Sequence, residues 1–65
     1  MNGRDAKPRE IFFEFVTVGR QVKVTAIDAD TGVEVVVFGP VGTPQRSLEA
    51  LAVKKLQWRL ARAKE

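Results

Sequence analysis

The sequence predicts a small α+β fold in which a three-stranded antiparallel meander sheet packs on one C-terminal helix, in the order β-β-β-α. Three segments rich in β-branched and aromatic residues follow one another, and short turn sequences separate them. The last third of the chain contains neither Gly nor Pro and has apolar residues at helical spacing. With 65 residues in all, the chain has room for one domain.

Three strands are predicted, over residues 10–18, 21–28 and 33–38. The first reads EIFFEFVTV, a run of apolar and β-branched residues typical of a strand. The second, QVKVTAID, alternates between its two faces. Gly19 and Arg20 form a two-residue break between them, which favours a tight hairpin and hence antiparallel pairing.

Residues 28–32, which read DADTG, predict the second turn. Asp28 is expected to bond its own backbone, and the glycine at the end supplies a positive φ. Asp28 and Asp30 also match the start of a calcium-binding loop. That loop ends on a glutamate, whereas the corresponding position here is Gly39, so we interpret the segment as a structural turn.

Residues 44–63 are predicted to form the helix. Thr43 provides a side-chain cap, and Pro44 suits the first helical position because its missing N–H is not needed there. An apolar stripe follows the helical period and should pack on one face of the sheet. Its members are Leu48, Ala52, Val53, Leu56, Leu60 and Ala63.

The composition excludes several kinds of chemistry. There is no Cys and no His, so disulfides, thiolate nucleophiles and the usual zinc ligands are absent, as is the common general base. We therefore expect a protein that is not an enzyme and binds no cofactor or metal. The lack of disulfides in so small a domain indicates a cytoplasmic protein. No apolar run approaches the ~20 residues of a membrane span, and the polar residues 1–9 are expected to be a flexible tail before a single domain over residues 10–65.

The helix has most of the positive charge. Residues 44–65 contain six basic side chains and two acidic ones, whereas residues 10–43 contain two basic and five acidic ones. One arc of the helix brings four of the basic residues together with two large apolar ones. This helix face comprises Leu51, Lys54, Lys55, Trp58, Arg59 and Arg62.

Three interpretations of the helix face remain open. It is a solvated surface whose cations suit a helix C-terminus, or a protein interface centred on Trp58, or a site for single-stranded nucleic acid, with phosphate contacts and stacking on the indole. The net charge of the chain is only +3, which makes nucleic acid the weaker alternative.

Both faces of the sheet are apolar, and one helix can cover only one of them. Exposed apolar area of this size implies a partner, most simply a second copy in a twofold dimer. The alternative is that helix and tail wrap both sides incompletely. The sequence leaves open which face the helix covers. We expect self-association through Phe12, Val16, Val18, Val36 and Phe38.

Five short motifs are notable: VKVTAID at 22–28, Thr31-Gly32, Glu34-Val35, Gly39-Pro40 and KLQWRL at 55–60. They resemble those of a family of short, uncharacterised alphaproteobacterial proteins with a β-rich front and a helical end. The likeness extends over residues 10–62 and implies a bacterial, intracellular protein. It implies no activity, because the matching positions are turn and packing residues. The chain is accordingly expected to be a self-associating protein-interaction module, with nucleic-acid binding by the helix as the alternative.

Overall fold

The computed structural model describes residues 10–63 and has the predicted β-β-β-α order. The strands are β1 (Ile11–Val18), β2 (Gln21–Asp28) and β3 (Glu34–Pro40), and the helix is α1 (Gln45–Ala63). The predicted tail, residues 1–9, and the last two residues of the predicted domain lie outside the described residues.

The sheet is antiparallel with β2 in the centre, so β1 and β3 are both edge strands. Val18 lies opposite Gln21, which leaves Gly19 and Arg20 as a two-residue hairpin loop. Gly19 has a φ of 62° and no residue other than glycine has a positive φ in the described chain. A positive φ at the first loop position alone matches a type II′ turn, whose twist suits two antiparallel strands.

β3 is one residue longer than predicted, and both of its ends lie later in the sequence. It begins at Glu34 and continues through Gly39 and Pro40, two residues beyond the predicted end at residue 38. Pro40 lies opposite Gln21, on the outer strand of the sheet. A proline is tolerated there because the side that lacks an N–H faces the open edge and not β2.

The turn between β2 and β3 has the predicted structural role. Asp28 is fully buried, and its Oδ2 accepts hydrogen bonds from the Thr31 N–H at 3.1 Å and the Thr31 hydroxyl at 2.6 Å. Thr31 Oγ1 in turn accepts from the Val33 N–H at 3.1 Å. These bonds fix the chain reversal and align the start of β3 with the end of β2.

The helix begins one residue later than predicted. The Pro44 carbonyl accepts bonds from the amides of Ser47, at 3.0 Å, and Leu48, at 3.3 Å, so Pro44 occupies the capping position that the sequence assigned to Thr43. From Gln45 onwards no Gly or Pro interrupts the helix until its end at Ala63.

The core lies between α1 and one face of the sheet, over β2 and β3. The predicted stripe is buried: Leu48, Ala52, Leu56 and Leu60 contact the buried side chains of the sheet. Those partners are Val24, Ala26 and Val35, which share one face by strand alternation. Val53 is half-buried beside them, and the Ala63 side chain lies outside the described residues. In residues 10–63, no helix combines the length and apolar character needed to cross a bilayer.

Candidate binding site

One face of the sheet is covered by no other element among residues 10–63, and we call it the uncovered face. Strand register places twelve residues on it: Phe12, Glu14, Val16, Val18, Gln21, Lys23, Thr25, Ile27, Glu34, Val36, Phe38 and Pro40. Four of its apolar side chains are about half exposed, with Phe12 at 52%, Val16 at 50%, Val18 at 55% and Phe38 at 55%. Val36, the fifth residue predicted for self-association, lies on the same face and is half-buried.

The helix also leaves part of β1 without cover. Phe13 and Phe15 lie on the side of the sheet that α1 packs against, and their rings are 6.3 Å apart. Phe15 nevertheless remains 36% exposed, because α1 packs on β2 and β3. From the sequence we expected one apolar face that the helix does not cover, and the structure adds this second, smaller patch.

All six residues predicted for the helix face are exposed. Leu51 is 54% and Trp58 60% accessible, which is high for apolar side chains of their size. The Arg62 guanidinium lies over the Trp58 ring at 4.7 Å from its centroid, a cation–π contact that covers one face of the indole.

The helix face and the edge of β3 together form a groove of about 650 Å³, which we call the β3 groove. Its apolar wall comes from both elements, and two ammonium groups stand beside it. The lining residues are Val36, Val37, Phe38, Leu51, Lys54, Lys55 and Trp58. The groove is therefore lined by apolar side chains, flanked by two lysines and bounded by the edge strand β3.

Lys55 links the two sides of the β3 groove. Its Nζ donates a 2.7 Å hydrogen bond to the Val36 carbonyl, which lies 19 positions earlier in the chain. This carbonyl belongs to the outer side of β3, which pairs with no further strand within residues 10–63. A lysine on an exposed edge is a common device against unwanted strand pairing.

Among residues 10–63, no three His, Cys, Asp or Glu side chains come close enough together to hold a metal ion. The two carboxylates suggested by the sequence as a possible calcium motif, Asp28 and Asp30, belong to the β2–β3 turn. The described residues thus offer no clustered metal centre.

The sequence predicted the residues of the sheet face and of the helix face, but not that some residues of each lie together in one groove. Val36 and Phe38 were assigned to the sheet, and Leu51, Lys54, Lys55 and Trp58 to the helix; the β3 groove joins both sets. The sequence did not predict Val37 as a site residue. It lies on the side of the sheet that α1 packs against, and it lines the groove beside the helix. Arg59 and Arg62 share the helix face but are not part of the groove lining. No local sequence signal shows along which strand edge a helix lies.

Comparison with known proteins gives one result. A family model described as a domain of unknown function (DUF6898) matches residues 8–63. The searches of curated proteins and of solved structures returned no significant match. Because the family model spans nearly the whole chain, from before β1 to the end of α1, the protein belongs to the DUF6898 family.

Proposed function

We propose that the protein is a non-enzymatic interaction module that pairs with a second copy of itself through the uncovered face. The observation that carries this proposal is the half exposure of Phe12, Val16, Val18 and Phe38 on one side of the sheet. A sheet face in contact with water normally carries polar residues, whereas four large apolar side chains exposed on one face mark a contact surface.

The size of the uncovered face is consistent with a reversible dimer. Strands about 4.8 Å apart that rise about 3.3 Å per residue give a face of roughly 14 by 26 Å. Two such faces would bury on the order of 1,000 Å² together, which is the lower limit for a specific interface. We therefore expect a dissociation constant in the micromolar range.

The charges of the uncovered face favour a second copy as its occupant. Glu14 and Lys23 lie on neighbouring strands near Val16, which pairs directly with Lys23. A twofold arrangement can place the lysine of each copy against the glutamate of the other. The apolar side chains of β1 and β3 would then pack between the two sheets of a sandwich, with both helices outside.

Sedimentation equilibrium across the micromolar range tests this proposal. The wild type should change from the 7.2 kDa monomer towards twice that mass as its concentration rises. Val16→Glu should weaken pairing by about 100-fold or more, since it buries a charge at a cost of about 3–5 kcal/mol. A wild type that remains monomeric throughout would refute the proposal.

Leu51→Glu is the matched control for that experiment. It introduces the same side chain at nearly the same exposure, 54% against 50% for Val16, but on the helix face. Self-association should be unchanged in this variant. Equal weakening by both substitutions would mean that pairing does not use the uncovered face.

Nucleic-acid binding by the helix face is the second candidate. Lys54, Lys55, Arg59 and Arg62 are exposed around Trp58, which is the arrangement that backbone contacts and base stacking require. With four phosphate contacts, the logarithm of affinity for a single strand should fall with the logarithm of salt at a slope of roughly −2.8. Titration with oligothymidylate, followed by Trp58 fluorescence, tests nucleic-acid binding. For the helix face we favour a protein partner, because Arg62 already stacks on the indole.

This function is proposed for the bacterial cytoplasm. The support is the absence of Cys in a domain of 65 residues and the resemblance to short alphaproteobacterial proteins. Fractionation of a bacterium that encodes the protein would test the location.

A further inference from the structure

We propose that the β3 groove binds an extended, acidic segment of a partner protein, which is added to β3 as a fourth strand. The inference rests on the proposed interaction function and names the ligand of its second surface. Three properties of the groove support it: the direction of the β3 main chain, the apolar walls and the charge.

The β3 main chain presents to the groove hydrogen-bonding groups that β2 does not pair. The Asp28 N–H donates to the Val33 carbonyl, so the main-chain N–H and C=O groups of the odd-numbered residues of β3 point towards β2. Since main-chain groups alternate along an antiparallel strand, those of Glu34, Val36 and Phe38 face outwards. The contact of the Val36 carbonyl with Lys55 confirms this direction.

The walls of the β3 groove suit the side chains of an added strand. Alternate side chains of such a strand point to opposite faces of the sheet. On one side they would meet Leu51 and Trp58 of α1, and on the other they would lie beside Val36 and Phe38. An occupant that alternates apolar residues with others therefore fits, in the way that peptides are recognised by strand addition.

The charge of the groove selects an acidic occupant. Lys54 and Lys55 line it and no acidic side chain does, while Arg59 and Arg62 follow on the same helix face. A carboxylate of the incoming segment would draw the Lys55 ammonium away from the Val36 carbonyl. That carbonyl would then accept an N–H of the segment, so the acidic residue and the strand pairing support each other.

Charge also argues against the two nearest alternatives. Twofold pairing of β3 with β3 of a second copy would place both helices on one side of the sheet, with their basic faces towards each other. Residues 1–9 of the chain itself are basic as well, with Arg4, Lys7 and Arg9 against Asp5. A separate acidic partner is the occupant that the groove complements.

Selection from a random octapeptide library displayed on phage tests the ligand class. Peptides enriched on the wild type should alternate apolar residues and contain Asp or Glu, and they should be lost on Leu51→Glu, which puts a carboxylate into the groove. Circular dichroism checks that this variant keeps its fold. Enrichment of basic peptides, or none above the level seen with Leu51→Glu, would overturn the inference.

Amide hydrogen exchange of the protein with the most enriched peptide tests strand addition itself. Without peptide, the Val36 and Phe38 amides should exchange faster than those of Val35 and Val37, which face β2. Bound peptide should slow Val36 and Phe38 at least about tenfold, the usual sign of a new main-chain bond. Unchanged exchange at these two amides would mean that the peptide docks without pairing.

Val16→Glu separates this inference from the proposed dimer. This variant should lose self-association and keep peptide binding, because Val16 does not line the β3 groove. If the wild type never dimerises but binds acidic peptides, the groove inference stands alone. If it dimerises and selects no acidic peptides, only the dimer remains.

Discussion

The Lys55 ammonium of α1 donates a hydrogen bond to the Val36 carbonyl at the open edge of β3, over a distance of 2.7 Å. The bond occupies one outward main-chain group of β3, whose outer edge pairs with no other strand in the described part of the chain. It thereby connects the two surfaces that the sequence suggested separately, and it places a cation where an added strand would have to lie.

Replacement of Lys55 tests its protective role. Lys55→Met should lower the free energy of unfolding by less than about 1 kcal/mol, because the bond is exposed. It should also increase assembly beyond the dimer, since the β3 edge loses its charge. Light scattering against concentration measures this, with Lys54→Met as the control that leaves the bond in place. Identical scattering by both variants would contradict the protective role.

Two leucines of α1 distinguish its buried side from its exposed side. Leu56 is fully buried in the core and Leu51 is 54% exposed. Leu56→Ala should therefore cost about 2–5 kcal/mol of stability, which is enough to abolish cooperative unfolding in a domain of this size. Leu51→Ala should change it by no more than about 0.5 kcal/mol. Urea denaturation of the two variants makes the comparison, and similar losses would mean that the helix is rotated.

Gly39 allows α1 to approach β3 closely. A Cβ at this position would overlap the Cδ2 atom of the buried Leu48 side chain. Gly39→Ala should consequently cost about 1–3 kcal/mol through overpacking. In a Leu48→Ala background the same change should cost much less, because space has been made for it. A double-mutant cycle measures this coupling, and strictly additive losses would exclude the contact as the cause.

The β2–β3 turn depends on the Thr31 hydroxyl. It donates to Asp28 Oδ2 and accepts from the Val33 N–H, so Thr31→Val breaks both bonds. We expect a loss of about 1–3 kcal/mol, since the carboxylate of Asp28 is fully buried. Thr31→Ser keeps the hydroxyl and should remain within about 0.5 kcal/mol of the wild type. Thermal unfolding distinguishes the two, and equal stability of the Val and Ser variants would count against this role.

The elements of the fold could be predicted because they follow from local patterns. The period of two in QVKVTAID and the helical spacing of Leu48, Ala52, Leu56 and Leu60 depend only on neighbouring residues. The errors fell at the element ends. β3 continues through Gly39 and Pro40, and the helix begins at Gln45, because pairing with β2 and the Pro44 carbonyl decide these ends.

Local sequence patterns were sufficient to predict the β-β-β-α order, the buried stripe of α1 and the surplus of apolar residues over what one helix can cover. The three-dimensional packing was needed to show that α1 lies on β2 and β3 and leaves the β3 edge open beside Trp58. The reason is that the position of a helix over a sheet depends on contacts between residues far apart in sequence. One example is Leu48, which packs in the space that a side chain at Gly39 would occupy. Periodicity shows which side of an element is apolar, but not which strand that side will meet.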